Sequence, residues 1–514
     1  MTAQPQTLCE QDHWVQSFCV NLHNIGIWVH QPTRQLFEDA ATSWADGLLN
    51  GHDFVGSDIA KEAKAAKVAK RPARKAEPGI KVRAAKYGLR NYNPNSSQQT
   101  SELLYNKFGL EPDQHEMTKA AAYGTGAPVL RRMILEDQKL GLDEEQVDLL
   151  YMIFRYRKIV SKYLGTYLKP FGVTGSHVWG DGRVRSNWAG HVVITRRLSS
   201  SDPNHQNLPL LMKYIYQPER DEFDNFIHGY AGADMEQMHP RIFAILWEIE
   251  RLQEAFLRGE DCYSHVADML FPVHRKHLYG FCWRDVCPKK SDGSPDWTVK
   301  PKKGTAAGKM RDRAKTHLLA SAYGAMAETR LRVLRKAEDE YGNLAMRDLD
   351  RQGIELMDED MHKGMPELER GWRREVEMAR LNGVTTGTDP WLADPIGGAI
   401  RYFHNGTSRD VPGSDFNDIA NFRTLTAEAA IMHARVQELE REFPLYYEGP
   451  GTGIFIQVHD QAGIEMSIRS LSAAAAEKKM QDTAKKVRDI MGAFTWRGVR
   501  FPAEESYGFD LSCA

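Results

Sequence analysis

Two aspartates end apolar runs of the sequence and could work as a pair. Asp234 follows a short apolar run and precedes a segment with apolar residues at helical spacing. Asp460 lies between the apolar runs 454–458 and 462–466, at the predicted tip of a hairpin. Each aspartate alone is typical of a helix cap or a turn. Together, two carboxylates at strand ends can hold divalent cations such as Mg²⁺, which prefer oxygen ligands.

A cationic helix is predicted between the two aspartates. Arg311, Lys315 and Leu319 recur every four residues, and we expect one helix over 310–334 that includes Tyr323. Cations one turn apart on a helix face can bind a triphosphate. Metal ions and such cations together suit an in-line displacement at phosphorus that releases pyrophosphate. These residues therefore indicate nucleotidyl transfer.

Two basic segments and one polar loop predict contact with a polyanion. Residues 61–86 carry ten Lys or Arg against two Glu, and 155–169 is a second basic stretch. A solvated basic helix and a targeting signal are the alternatives for 61–86. The loop 196–209 follows predicted antiparallel strands, and its amide and hydroxyl side chains suit phosphate and groove contacts.

The bulk composition is that of a globular protein with a substantial core. The 514 residues are 42% hydrophobic and 26% charged, and the net charge is −2. No apolar run reaches the ~18 residues of a membrane span, and no secretory signal is predicted. Six cysteines are scattered without a C-x-x-C pair, which indicates reduced thiols in a cytoplasm. The spacing of His274, His277, Cys282 and Cys287 fits common zinc patterns poorly.

Four motifs, in one order, resemble those of the family A (DNA polymerase I-like) DNA polymerases. They are RRLSSSDPNHQNLP (196–209), GADMEQMHPR (232–241), RDRAKTHLLASAYG (311–324) and QVHDQ (457–461). The resemblance implies a mixed α+β right-hand polymerase fold with an antiparallel palm sheet, helical fingers and a helical thumb, and without an exonuclease domain. The expected segments are an N-terminal helical segment (1–60), the thumb (61–175), a first palm segment (176–265), the fingers (266–395) and a second palm segment (396–514).

The resemblance also implies a role for each site residue. Asp234 and Asp460 would hold two Mg²⁺ ions, which Mn²⁺ could replace, with help from the backbone carbonyl of Met235. Arg311 and Lys315 would hold the incoming triphosphate. The other expected nucleotide contacts are Leu319, Tyr323, His239 and Tyr263, and the expected DNA contacts are Arg197, Asn204, Gln206, Asn207, Gln457 and His459.

Several positions depart from the family's pattern. His239 stands where the family has a glutamate that packs under the incoming sugar and helps to exclude a 2′-OH. Gln461 replaces the glutamate that follows the second catalytic aspartate. Leu319 replaces Phe or Tyr, Leu425 a frequent Gln, and Tyr263 a usual His. Discrimination against ribonucleotides is therefore not predicted by the motifs.

The expected activity is template-directed DNA synthesis from dNTPs at a primer 3′-OH, in replication or repair. The alternatives are a single-subunit-type RNA polymerase or a polymerase with relaxed sugar choice, and a catalytically inactive DNA-binding scaffold. The divergent motifs favour a phage-type monomer in the cytoplasm of a bacterial host, without membrane contact. About two dozen residues precede the first similar segment, NLHNIGIWV, so we expect no intrinsic exonuclease. A separate exonuclease, a helicase or a processivity factor could then be a partner.

Overall fold

The computed structural model describes most of the chain. The described residues are 8–51, 78–112, 124–190, 192–279, 282–336, 351–408, 411 and 413–513. The first predicted basic segment, 61–86, is described only from residue 78 onwards. Within the described ranges, no helix is both long and apolar enough to cross a bilayer. The cysteines whose side chains are described are all free thiols, as their scattered spacing predicted.

Helices form the larger part of the described chain. They are α1 (Leu8–Ile25), α2 (Gln31–Asn50), α3 (Ile80–Lys86), α4 (Ser97–Ser101), α5 (Ala127–Leu135), α6 (Asp137–Leu140), α7 (Glu144–Arg157), α8 (Leu210–Lys213), α9 (Met238–Leu246), α10 (Glu250–Leu257), α11 (Cys262–Leu270), α12 (Lys276–Tyr279), α13 (Trp283–Val286), α14 (Ala306–Ala322), α15 (Ala327–Lys336), α16 (Arg351–Gly364), α17 (Glu367–Thr386), α18 (Phe416–Glu442) and α19 (Ala473–Met491). π-Helical turns continue α4 over Glu102–Lys107 and α7 over Lys158–Leu168, and short 3₁₀ turns occur at His205–Asn207, Val273–Arg275 and Leu511–Cys513.

The strands pair only in the antiparallel sense. They are β1 (Ile27–Trp28), β2 (Arg183–Val184), β3 (Asn187–Ala189), β4 (Ser199–Ser201), β5 (His228–Met235), β6 (Trp391–Ala393), β7 (Ile400–Tyr402), β8 (Gly453–Val458), β9 (Gln461–Ser467), β10 (Phe494–Trp496), β11 (Val499–Phe501) and β12 (Ala503–Gly508). A central sheet has the order β12-β5-β9-β8, and two-stranded sheets join β1 to β2, β3 to β4, β6 to β7 and β10 to β11. The mixed α+β class with an antiparallel sheet is therefore confirmed.

The central sheet is covered on both faces, which explains its unusual composition. Every residue of β5 except Asp234 is buried, because α19 packs on one face of the sheet and other helices on the opposite face. A Cβ added to Gly229 would lie 2.5 Å from Met480 Sδ on α19. The small residues of β5 thus allow a helix to approach the sheet closely. The helices α3, α5 and α7 enclose a separate hydrophobic core.

One predicted helix is wrong in extent. The expected helix over 310–334 is divided, because α14 ends at Ala322 and α15 begins at Ala327. Gly324 lies at the break with φ +72°. Glycine adopts this left-handed conformation without a steric penalty and commonly ends helices in this way. The Tyr323-Gly324 pair therefore closes the cationic helix and turns the chain away.

A buried ion cluster connects the central sheet to the N-terminal region of the chain. Arg183 on β2 donates two hydrogen bonds, of 2.9 and 3.0 Å, to the carboxylate of Glu465 on β9. His228 Nδ1 on β5 lies 3.1 Å from the same carboxylate. Burial alone would raise the pKa of Glu465, but the Arg183 charge and the hydrogen bonds outweigh it and lower that pKa. Glu465 is therefore an ionised group at the centre of the fold.

We expect Glu465→Gln to destabilise the protein. The amide keeps the shape of the side chain but leaves the buried Arg183 charge with only the more distant Glu219 carboxylate, 3.6 Å away. Loss of one partner of a buried ion pair typically costs ~3–5 kcal/mol, and Glu219 should place the effect at the lower end. Because the folded-state pKa is lowered, the stabilisation is complete above the ordinary glutamate pKa of about 4.3 and is lost as the pH falls through the folded-state value. Urea unfolding at pH 7 measures the effect, with the exposed Glu477→Gln as the control. Equal midpoints for the two variants would contradict this role.

Candidate active site

The two predicted aspartates meet at one end of the central sheet. Asp234 is opposite Gln461 in the β5–β9 ladder, and the Met235 N–H donates to the Asp460 carbonyl at 2.9 Å. His459, in the two-residue turn between β8 and β9, has φ +50°. This left-handed conformation suits a tight hairpin, and it places Asp460 beside the end of β5. The predicted hairpin with Asp460 at its tip is confirmed.

The alternative interpretation of Asp234 as a helix cap is wrong. The residue that precedes α9 in the N-cap position is Gln237, with φ +53°. Its side chain accepts a hydrogen bond from the Cys262 N–H at 2.9 Å and so connects α9 to α11. Asp234 therefore does not cap α9, and its carboxylate faces a cavity.

The carboxyl groups of the two aspartates interact directly. Burial, followed by the Asp460 charge and a hydrogen bond between the two side chains, raises the pKa of Asp234 to about 7, although Lys315 and Lys300 act in the opposite direction. Burial also raises the pKa of Asp460. One side of the Asp234 carboxylate is open to the cavity, but protein surrounds it on the other sides. Two carboxylates so close do not both ionise readily, so the pair by itself retains a proton near neutral pH.

The aspartates open into a cavity of about 380 Å³ that most of the predicted nucleotide residues line. Its lining residues are Arg197, Asp234, Met235, Glu236, Gln237, Met238, His239, Tyr263, Lys300, Arg311, Lys315, Leu319, Glu428, His459, Asp460 and Glu504. Cations from α14 and from a loop thus face two carboxylates. Such a site suits a polyanionic ligand that binds together with divalent cations.

The two cations of α14 differ in their surroundings. Both lie over the Tyr263 ring, with Arg311 Cζ at 5.1 Å and Lys315 Nζ at 5.6 Å from its centre. Arg311 also forms a bidentate pair with the buried Asp261, at 2.7 and 2.8 Å. Lys315 acts on the pKa of both Asp234 and Asp460. Lys315 is therefore the α14 cation that interacts with the carboxylate pair, while the Arg311 charge is already balanced.

The sequence analysis missed Lys300. This lysine precedes α14, and its Nζ lies 2.6 Å from Glu504 on β12 and 3.4 Å from Glu236. Glu504 is opposite Asp234 in the β12–β5 ladder. Lys300 thus adds a third cation beside the carboxylate pair, and one that only the tertiary structure reveals.

His239 connects α9 to three other segments. Its Nδ1 lies 2.5 Å from Tyr323 Oη, and its Nε2 lies 2.5 Å from the Glu428 carboxylate on α18. Arg197 donates to the same carboxylate. Burial lowers the pKa of His239 to about 3, and the charges of Arg197, His459 and Lys315 act in the same direction. His239 is therefore a neutral imidazole, and Glu428 is a second site residue that the sequence analysis missed.

The predicted DNA-contact residues lie beside the cavity, and some are engaged in internal hydrogen bonds. Gln206 Nε2 donates to the Gln457 carbonyl at 3.3 Å, and Gln457 Nε2 donates to the His459 carbonyl at 2.8 Å. The Asn204 side chain accepts from the N–H groups of Gln206 and Asn207, at 3.0 and 3.1 Å. Asn204 and Gln457 thus shape the loop and the hairpin, and Asn204, Asn207 and His459 are exposed. Contact of these residues with DNA stays a prediction.

The donor set of the cavity fits a divalent cation that prefers oxygen. Among the described residues, no group of three or more His, Cys, Asp or Glu side chains is arranged to hold a metal ion. This finding also gives no support to a zinc site in the 271–310 segment. Burial, followed by the Asp460 charge, raises the pKa of Asp234, and a bound cation would relieve the repulsion between the two carboxylates. Carboxylate and carbonyl oxygens are the ligands that Mg²⁺ and Mn²⁺ accept.

The fold is similar to that of a solved polymerase domain. The structure superposes on the polymerase domain of Pol1 from M. smegmatis, solved in complex with DNA primer-template and dNTP, with a TM-score of 0.65 and 17% sequence identity. The match covers 97% of this chain and 70% of that one. The chain therefore has the fold of a polymerase domain, with its carboxylate pair on the central sheet.

Part of the sequence is similar to a known family. Residues 64–279 match the model of DNA polymerase family A. The DNA polymerase I of Streptococcus pneumoniae is 29% identical over 192 residues, which cover 36% of this chain and 19% of that protein. The DNA polymerase I of Mycobacterium bovis is 31% identical over 211 residues, which cover 39% and 21%. The chain is thus similar to the DNA polymerase family A over residues 64–279, and it spans about a fifth of the length of these curated relatives.

We expect the affinity of the protein for Mn²⁺ to rise between pH 6 and pH 8. The pKa of Asp234 is raised to about 7, so a cation must displace a proton below that pH, and the affinity should fall about tenfold per pH unit there. Above pH 7 the affinity should level off. Electron paramagnetic resonance of free Mn²⁺ measures the binding.

The Asp234→Asn variant should lose most of the Mn²⁺ binding and its dependence on pH. The matched control is Asp489→Asn, which changes an exposed aspartate on α19. An affinity that does not change with pH, or binding that Asp234→Asn leaves intact, would exclude the aspartate pair as the cation site.

Proposed function

We propose that this chain is a template-directed DNA polymerase that adds dNTPs to the 3′-OH of a primer. The main observation in support is that the Asp234–Asp460 pair lines one cavity together with the α14 cations Lys315 and Arg311. The family match and the polymerase fold support the same activity. The structure of the Pol1 polymerase domain is of a complex with DNA primer-template and dNTP, which supports these two partners for this chain.

Asp234 and Asp460, with the Met235 carbonyl, would hold two Mg²⁺ ions, for which Mn²⁺ can substitute. Ions bound there would activate the primer 3′-OH and stabilise the leaving pyrophosphate. Arg311 and Lys315 would bind the triphosphate, with Lys300 beside them, and would balance the charge that builds up on it. The cavity encloses both aspartates on part of their surface, which strengthens these charge interactions because the local dielectric is lower than in bulk water.

The domain assignment belongs to this proposal. The separate core of α3, α5 and α7 supports a thumb within 61–175. The central sheet draws β5 from 176–265 and β8, β9 and β12 from 396–514, which supports a palm made of two segments. The helices between them, within 266–395, would form the fingers and carry α14. Residues 1–60 would be the N-terminal helical segment.

A polymerase with relaxed sugar choice is the second candidate. The observation in its favour is His239, which stands at the position of the family's sugar-excluding glutamate. The close approach of the two aspartates argues against an inactive scaffold, because two carboxylates that repel each other are costly without a cation to hold. The absence of exonuclease activity, a monomeric state, separate replication partners and a cytoplasmic location stay predictions.

Primer extension by the purified chain, with dNTPs and rNTPs in parallel reactions, tests the activity. Asp460→Asn should lower the extension rate by about 10²–10³, the typical effect of removing one well-placed electrostatic group. Binding of the primer-template, measured by fluorescence anisotropy, should persist in this variant. Undiminished synthesis by Asp460→Asn would remove the pair from the mechanism.

Lys315→Ala tests the nucleotide site separately. The loss of the cation should raise the KM for dNTPs by about tenfold or more, because charge-assisted hydrogen bonds to phosphate are strong. The control is Lys485→Ala, which changes an exposed lysine on α19. If both variants keep the KM and kcat of the parent protein, the triphosphate does not bind at α14.

A further inference from the structure

Lys300 lies among three carboxylates at the end of the central sheet. Its Nζ is 2.6 Å from Glu504 and 3.4 Å from Glu236. Glu504 is opposite Asp234 in the β12–β5 ladder, so these two side chains lie on the same face of the sheet, and all four residues line one cavity. Burial raises the pKa of Asp234, and the Lys300 charge acts to lower it. One ammonium group therefore partly balances three carboxylates, one of which belongs to the aspartate pair.

A folded segment places Lys300 in this position. Residues 287–305, the connecting segment, join α13 to α14. The Trp297 ring stacks on His265 of α11, with 4.5 Å between the ring centres, and the Trp297 carbonyl accepts a 2.8 Å hydrogen bond from the backbone N–H at the N-cap of α11. Thr305 caps the start of α14. Lys300 lies between these two fixed points, so its backbone position is set by tertiary contacts.

The ion pairs of Lys300 can be exchanged at little cost. The side chains of Lys300 and Glu504 are 38% and 64% exposed, and ion pairs with such access to water contribute little to stability. The pair of Arg311 with Asp261 differs, because its side chains are only 15% and 2% exposed. Separation of a buried pair leaves an uncompensated charge, which is costly. Of these two cations, Lys300 is therefore the one that can move readily to a bound anion.

The position of Lys300 has opposite effects on cations and anions that enter the cavity. Lys300 acts on the charge of Asp234, so it also repels a divalent cation held by that carboxylate. A triphosphate offers Lys300 phosphate oxygens, which form strong charge-assisted hydrogen bonds with an ammonium group. When Lys300 binds such an anion, the carboxylates that it leaves can balance the charge of the accompanying metal ions. Lys300 thus disfavours a metal ion alone and favours a metal ion that binds with phosphate.

We propose that Lys300 is an internal counter-ion of the aspartate site, which partly takes the place of a metal ion in the nucleotide-free protein and passes to the triphosphate when a nucleotide binds. Metal ions and nucleotide then bind cooperatively, because each improves the affinity for the other. The transfer to the triphosphate rests on the proposed function. The effect of Lys300 on metal ions in the nucleotide-free protein does not, so the two can be tested apart.

Binding of Mn²⁺ to the nucleotide-free protein tests the counter-ion role. Electron paramagnetic resonance of free Mn²⁺ at pH 8, above the raised pKa of Asp234 of about 7, gives the affinity with little interference from protons. Lys300→Met removes the charge and keeps the length of the side chain, so the Mn²⁺ affinity should rise about tenfold. Lys300→Arg keeps the charge and should stay within about threefold of the parent protein. The matched control is Lys290→Met, which changes an exposed lysine of the connecting segment.

Single-nucleotide incorporation by the same variants tests the transfer to the triphosphate. Lys300→Met should raise the KM for dNTP about tenfold, because a charge-assisted contact with phosphate is lost. Lys300→Arg should recover the KM, and Lys290→Met should leave it unchanged. A gain in Mn²⁺ affinity together with a loss in dNTP affinity is specific to a cation that passes from one ligand set to the other. A lysine with only a structural role would weaken both or change neither.

The outcomes separate this inference from the proposed function. An unchanged or lower Mn²⁺ affinity in Lys300→Met overturns the counter-ion role, even if the parent protein extends primers normally. A higher Mn²⁺ affinity with an unchanged KM for dNTP overturns the transfer to the triphosphate. A parent protein that does not extend a primer refutes the polymerase function, and the Mn²⁺ titration still decides whether Lys300 balances the aspartate site.

Discussion

The pairing of β5 with β9 is the interaction on which the rest of the site depends. It sets Asp234 beside the hairpin that carries Asp460, with the Met235 N–H bonded to the Asp460 carbonyl. A slip of one residue would turn Asp234 to the other face of the sheet. The buried Glu465–Arg183 pair lies farther along the same ladder and favours one register. The same backbone hydrogen bonds therefore stabilise the sheet and position the two aspartates.

Around this ladder, several cations near the cavity have carboxylate partners. Asp261 balances Arg311, Glu504 and Glu236 hold Lys300, and Glu428 holds Arg197. The Asp234–Asp460 pair is the exception, since its two members have the same sign. These two like charges repel each other. A cation that binds together with an anionic ligand would relieve this repulsion.

The sequence predicted those features of the site that produce a pattern among neighbouring residues of the chain. Asp234 and Asp460 end apolar runs, and the four-residue repeat of Arg311 and Lys315 marks a helix face. Lys300 and Glu428 have no such signal, because their partners lie 204 and 189 residues away in the chain. The extent of α14 was mispredicted because the periodicity continues past Tyr323, while the positive φ of Gly324 breaks the helix.

The pairing of Arg311 with Asp261 has a thermodynamic consequence. Asp261 also accepts the Ser264 N–H at the start of α11, so one carboxylate serves both a helix terminus and a cation. A ligand anion that binds Arg311 competes with the Asp261 carboxylate. Its interaction with Arg311 must therefore be more favourable than that of Asp261. Three linked phosphates with their metal ions can meet that cost, whereas a single phosphate offers less charge for the exchange. Under the proposed function, a preference for a triphosphate over shorter nucleotides would then arise from competition with the Asp261 carboxylate rather than from the size of the cavity.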